Sequence, residues 1–188
     1  MSRKPESLQS HPDREPNLIG KLPQAEADLL HAVLLEAGSD IENWHPDDRK
    51  NFDPKNPLAG LCDLASSLLA LIYADTKAGD HVEWLRVQKL RRSGWKSADY
   101  DVHYDLSTQK YGILDLTREQ FERGRIFKKV GPKKINPDTK AVNFSRAQMG
   151  KRLSRVFGIL QRRALEKISE PSTATWTPEL LNFLAQLI

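Results

Sequence analysis

The chain has 188 residues, a formal net charge of +4 and one cysteine, Cys62. That length suits one compact domain. A lone cysteine excludes an internal disulfide framework and a cysteine-based zinc cage, and no apolar run approaches the ~18 residues of a membrane span. The opening residues lack the apolar core of a signal peptide. The expectation is a cytoplasmic, mostly folded protein with no membrane segment, metal or cofactor.

Residues 1–23 are polar and carry Pro5, Pro12, Pro16 and Pro23. Such a segment buries too little to offset its ordering entropy, which predicts a flexible arm. A folded domain over 24–168 and a linker with an apolar helix over 169–188 follow. Over 24–37, Ala25, Leu29, Leu30, Val33 and Leu34 keep a helical period, and Gly38 is placed to cap the helix end. Residues 39–59 read as an irregular loop with Pro46, Pro54 and Pro57.

Residues 60–73 are the most apolar stretch, too short to span a membrane and too apolar for a surface helix. A buried helix fits, and Pro57 and Gly60 put its start near Cys62. Strand patterns follow at 82–89, 100–106 and 111–116, the last two joined by a connection of hairpin length. Helices and a small antiparallel sheet make an α+β arrangement.

The charge is unevenly spread. Residues 118–167 hold fifteen basic and four acidic residues, +11, which leaves −7 for the remainder. Met149, Leu153, Val156, Phe157, Leu160 and Ala164 run along one face of a helix there, with basic residues opposite. The pairs Lys128-Lys129 and Lys133-Lys134 around Gly131-Pro132 read as a basic loop. Thr177-Pro178-Glu179 is a helix start: cap, proline, then acid. The helix that follows either closes the domain's core or docks on a second subunit, which would make a homo-oligomer.

A thiol is nucleophilic as thiolate, and a helix start lowers its pKa. Cys62 stands at such a start, His103 on a strand pattern and Asp115 on the next. Two strands joined by a tight connection can set His103 and Asp115 side by side, which suits a Cys–His–Asp catalytic triad. Asp105, two residues from His103, is a rival orienter. The plain alternative is a core cysteine, a packed histidine and an aspartate that caps the next turn. Thr117 and Gln120 form a better capping box than Asp115 does. His45 with Asp47 and Asp48 is a weak metal pattern, and no glycine-rich phosphate loop is present.

Gly60-Leu61-Cys62, Glu83-Trp84-Leu85-Arg86, Val102-His103-Tyr104 and the run Ile113-Leu114-Asp115-Leu116-Thr117-Arg118-Glu119-Gln120-Phe121 resemble the bacterial YunG-like family. The resemblance implies a papain-like or transglutaminase-like cysteine fold, with Cys62 as nucleophile, His103 as base and Asp115 as orienter. That family often has a glutamine before the cysteine, where Leu61 stands here, and an aromatic-Asn pair where this chain has Tyr104-Asp105. The Cys62 backbone N–H, with Asn56 or Asn51, is the candidate oxyanion donor set.

The function expected is cysteine-dependent acyl chemistry on an amide or thioester, by hydrolysis or transfer, with a protein or peptide as one substrate class. A basic module for nucleic acid or an acidic partner is the second expectation, carried by Arg125, Lys128, Lys129, Lys133 and Lys134. Its plain counterpart is a basic helix face solvated by water and balanced by the acidic remainder. An inactive interaction protein on the same fold is the third.

Overall fold

The computed structural model describes residues 20–39, 57–88, 100–120, 126–133, 146–168 and 176–187. Helices α1 (Gln24–Ser39) and α2 (Cys62–Tyr73) precede a sheet of β1 (His81–Gln88), β2 (Tyr100–Thr108), β3 (Gly112–Leu114) and β4 (Ile126–Lys133). Helices α3 (Arg146–Lys167) and α4 (Pro178–Leu187) follow. The sheet order is β3-β2-β1-β4, and every pairing is antiparallel. The class is α+β, as the patterning implies.

Helix α2 packs across β2, and α1 packs against α3. Leu64, Leu68 and Leu69 of α2 are fully buried, as are Leu30, Val33 and Leu34 of α1. Each such leucine removes a whole apolar side chain from water, worth about 1.5–3 kcal/mol. Val82, Leu106 and Leu114 bring the sheet into this core, and Val156 and Leu160 bring α3 into it. From the segment read as a flexible arm, Leu22 joins the core and the Lys21 N–H donates to the Tyr111 carbonyl at 2.9 Å. Residues 1–19 and most of the loop at 39–59 lie outside the described residues.

Gly38 does not cap α1 from beyond its end; the helix runs through it to Ser39. The glycine serves a close approach instead, because a Cβ there would stand 2.2 Å from the Pro57 carbonyl oxygen. The turn before α2 can therefore lie directly on α1. Gly60 sits in that turn with φ +78°, a left-handed conformation that favours glycine.

The segment read as a basic loop is strand β4 as far as Lys133. Its residues pair with β1, and the register steps from Trp84↔Gly131 to Leu85↔Lys129, so Val130 is the extra residue of a bulge. Among the described residues β4 is an edge strand. Proline, a bulge and lysines are features that edge strands accept and that discourage further pairing.

Helix α4 closes the chain's own core: Leu180 is fully buried and Leu184 is 7% exposed. The Thr177 hydroxyl accepts the Leu180 N–H at 3.3 Å, as a capping residue does. Glu179 accepts bonds from Lys110 Nζ and the Tyr111 hydroxyl, each at 2.6 Å, which ties α4 to the β2–β3 connection. On α3, Arg163 bonds Glu36 of α1 at 2.7 Å, and Arg162 bonds the same carboxylate. Burial alone would raise the pKa of Glu36, but the two guanidinium groups hold it below the usual value. Part of the basic face is thus paired within the chain. No helix among the described residues is long and apolar enough to cross a membrane.

Candidate active site

Cys62 is the first residue of α2, as the punctuation at Pro57 and Gly60 predicts. Leu61 is the N-cap and offers no side-chain bond to the helix start. The Cys62 thiol is hydrogen-bonded to the backbone of Tyr104 on β2. β3 pairs with β2 only over Leu106–Thr108, so the thiol meets β2 just beyond the last β2–β3 pair, at the residue that follows His103 in the chain.

His103 is fully buried, and its Nε2 lies 2.7 Å from Asp115 Oδ2. Asp115 follows the last residue of β3 instead of lying within that strand. Its Oδ1 accepts the Thr117 N–H at 3.1 Å. This local turn ends the strand and aims the other carboxylate oxygen at the imidazole. The rival orienter, Asp105, is 3% exposed and stands opposite Glu83 of β1 in the ladder; the oxygen on His103 Nε2 belongs to Asp115.

Gln120 does not complete a capping box with Thr117. Its Oε1 accepts the Gly60 N–H at 3.3 Å, and its Nε2 lies 3.3 Å from His103 Nδ1. These bonds fix a direction. The Gly60 N–H can only donate, so the carboxamide oxygen faces Gly60 and the NH₂ faces His103. Nδ1 must then be the acceptor, and the imidazole proton sits on Nε2, where it donates to Asp115. The result is one chain of donors running Gly60, Gln120, His103, Asp115, closed by an acceptor-only carboxylate. In this tautomer the Nδ1 lone pair faces the Gln120 carboxamide, whose oxygen holds the Gly60 N–H two residues before Cys62.

The thiol is not in the state that its helix position predicts. Burial pushes its pKa up from 9.0 to about 12, and the charges of Asp63 and Asp115 push the same way, against hydrogen bonds from the Tyr104 and Asp63 backbone. Asp63 in turn lies 3.4 Å from Arg152 of α3. Desolvation outweighs the helix start because Cys62 is only 7% exposed.

A stability effect follows. The unfolded chain loses the Cys62 proton near its usual 9.0, whereas the folded chain keeps it to about 12. The contribution is complete below the lower value and is lost as pH rises toward the higher one. At pH 10.5, wild-type protein should have lost about 2 kcal/mol that Cys62→Ser does not lose. Urea unfolding of both proteins at pH 8 and 10.5 checks this, and parallel losses would show an ordinary thiol.

Asn51, Asn56, Arg125 and Lys134 lie outside the described residues, while Lys128, Lys129 and Lys133 are on β4. Among the described residues, no group of three or more His, Cys, Asp or Glu could hold a metal ion. Compared with protein-family models, curated proteins and solved structures, the chain matches none.

Proposed function

We propose that the chain carries out cysteine-dependent acyl chemistry, as a hydrolase or acyltransferase acting on an amide or thioester. The observation that carries the reading is the buried 2.7 Å bond between His103 Nε2 and Asp115, made beside a helix-start cysteine that touches the neighbouring residue of the same strand. Cys62 attacks the substrate carbonyl carbon, and its proton passes to His103 Nδ1. The imidazolium that forms is stabilised by Asp115 and then gives its proton to the leaving amine or thiol. An acyl-thioester remains on Cys62, and water or an amine releases it. Because the thiol is protonated at rest, His103 takes the proton during attack and no ion pair exists beforehand. The kinship with YunG-like proteins and the papain-like or transglutaminase-like fold belong to the same proposal.

A second reading has its own support. The raised thiol pKa and the burial of Cys62 equally suit an inert core cysteine in an interaction protein built on this fold. The two part on one experiment. Full-length protein is mixed with p-nitrophenyl acetate and examined by intact mass and peptide mapping. The enzyme reading expects one acetyl group on Cys62, absent in Cys62→Ser and slowed about 10²-fold or more in His103→Ala. No adduct, or an adduct indifferent to His103, leaves the inert thiol.

A further inference from the structure

Gln120 holds the two halves of the site together, and nothing in the triad accounts for it. Its carboxamide reaches back sixty residues to the Gly60 N–H and at the same time touches His103 Nδ1. The remaining ring nitrogen is committed to Asp115 at 2.7 Å. We propose that Gln120 is a positioning residue that fixes the His103 tautomer and covers the Nδ1 lone pair, so that the resting site is latent. This rests on the Cys62–His103–Asp115 reading and adds the regulation of that site.

Three features of the geometry carry the argument. The Gly60 N–H orients the carboxamide, so its NH₂ and not its oxygen meets the imidazole. The turn that supplies this N–H is the one that leads into Cys62, with only Leu61 between them. The nitrogen that Gln120 covers is therefore the one that must receive the thiol proton. Latency then has two parts that reinforce each other: the thiol stays protonated in its buried setting, and the base is occupied. A substrate group that accepts the Gln120 N–H draws the carboxamide away and uncovers Nδ1 where the reaction needs it.

The substitution Gln120→Glu tests this without removing a partner. A carboxylate still accepts the Gly60 N–H, but its second oxygen can only accept as well, so His103 Nδ1 must carry a proton. With Asp115 on Nε2, the ring becomes an imidazolium flanked by two carboxylates. Full-length protein labelled with ¹⁵N-histidine is the sample, and His103→Ala assigns the signal. In wild type at neutral pH, Nδ1 should resonate as an unprotonated nitrogen and Nε2 as a protonated one. In Gln120→Glu both should resonate as protonated, and acetylation of Cys62 by p-nitrophenyl acetate should fall about 10²-fold or more. Gln120→Ala should leave Nε2 protonated and should speed alkylation of Cys62 by iodoacetamide at neutral pH.

A Gln120→Glu protein whose Nδ1 stays unprotonated overturns the proposal, as does a Gln120→Ala protein whose alkylation rate is unchanged. The ¹⁵N signals separate this from the enzyme reading. If they change as expected while Cys62 forms no acetyl adduct in wild type or in Gln120→Ala, Gln120 sets the histidine and the acyl chemistry is wrong. If the adduct forms and the signals do not change, the Gln120 assignment alone falls.

Discussion

Asp115→Asn should lower the acetylation of Cys62 by about 10⁴-fold, the loss expected when the orienting carboxylate of a nucleophile–histidine–acid triad becomes an amide. The reason lies in the direction of the hydrogen bonds. Asp115 accepts on both oxygens, from His103 Nε2 at 2.7 Å and from the Thr117 N–H at 3.1 Å. A carboxamide accepts on one side only. If its oxygen stays with Thr117, its NH₂ faces Nε2 and forces the imidazole proton onto Nδ1. That nitrogen then opposes the Gln120 NH₂, and if Gln120 turns over to meet it, the Gly60 N–H faces an NH₂. If the oxygen of the new carboxamide turns to His103 instead, its NH₂ faces the Thr117 N–H. Every arrangement leaves one clash between donors, cheapest at the exposed Gly60 N–H, where water can accept the bond, so the stability loss should stay below the about 1–3 kcal/mol of a buried unpaired donor. Acetylation kinetics by mass spectrometry measure the first effect and urea midpoints the second. A variant that acylates within about tenfold of wild type would reduce Asp115 to a packing partner.

What could be read from the residues alone was whatever depends on neighbours in sequence. The start of α2 at Cys62 follows from Pro57 and Gly60 just before an unbroken apolar run. The approach of His103 and Asp115 follows from two strand patterns joined by a short connection. Gln120 was hidden because its local signal is a capping box with Thr117, whereas its partners are Gly60 and His103, sixty and seventeen residues away. β4 was hidden for a related reason. Lysine pairs around Gly131-Pro132 describe a loop until β1 is available to pair with them across a bulge. The protonation state of Cys62 departs from its sequence signal because a helix start is a local property and burial is not. The dipole acts over one turn, while the desolvation that dominates here comes from the fold around the residue.

Glu26 shows the same limit with a large energetic consequence. An acid in the first turn of α1 reads as a surface charge favoured by the helix start, yet Glu26 is fully buried. Its carboxylate accepts the Thr177 N–H at 2.6 Å, the Thr177 hydroxyl at 2.7 Å and the Tyr73 hydroxyl. It thereby joins α1, the end of α2 and the start of α4. Burial, together with the Glu26 charge, pushes the Tyr73 hydroxyl far above its usual pKa, so it remains a donor throughout the ordinary pH range.

Glu26→Ala would strand those donors without water and leave a void. The expected cost is about 3–5 kcal/mol, because three neutral buried donors lose their acceptor at about 1–3 kcal/mol each while the carboxylate's own desolvation is relieved. Glu26→Gln keeps the shape and one good acceptor, so it should cost less. Urea unfolding reads both as midpoint shifts at constant slope. A shift below about 1 kcal/mol for alanine would mean that Leu180, Leu184 and the Glu179 bonds hold α4 without help from Glu26. The consequence reaches the site through α4. That helix holds Lys110 and Tyr111 through Glu179, and those residues form the connection that sets β3 against β2, with Asp115 at its end. Glu26→Ala should therefore weaken acetylation of Cys62 more than Glu26→Gln does, in the same order as the stability loss.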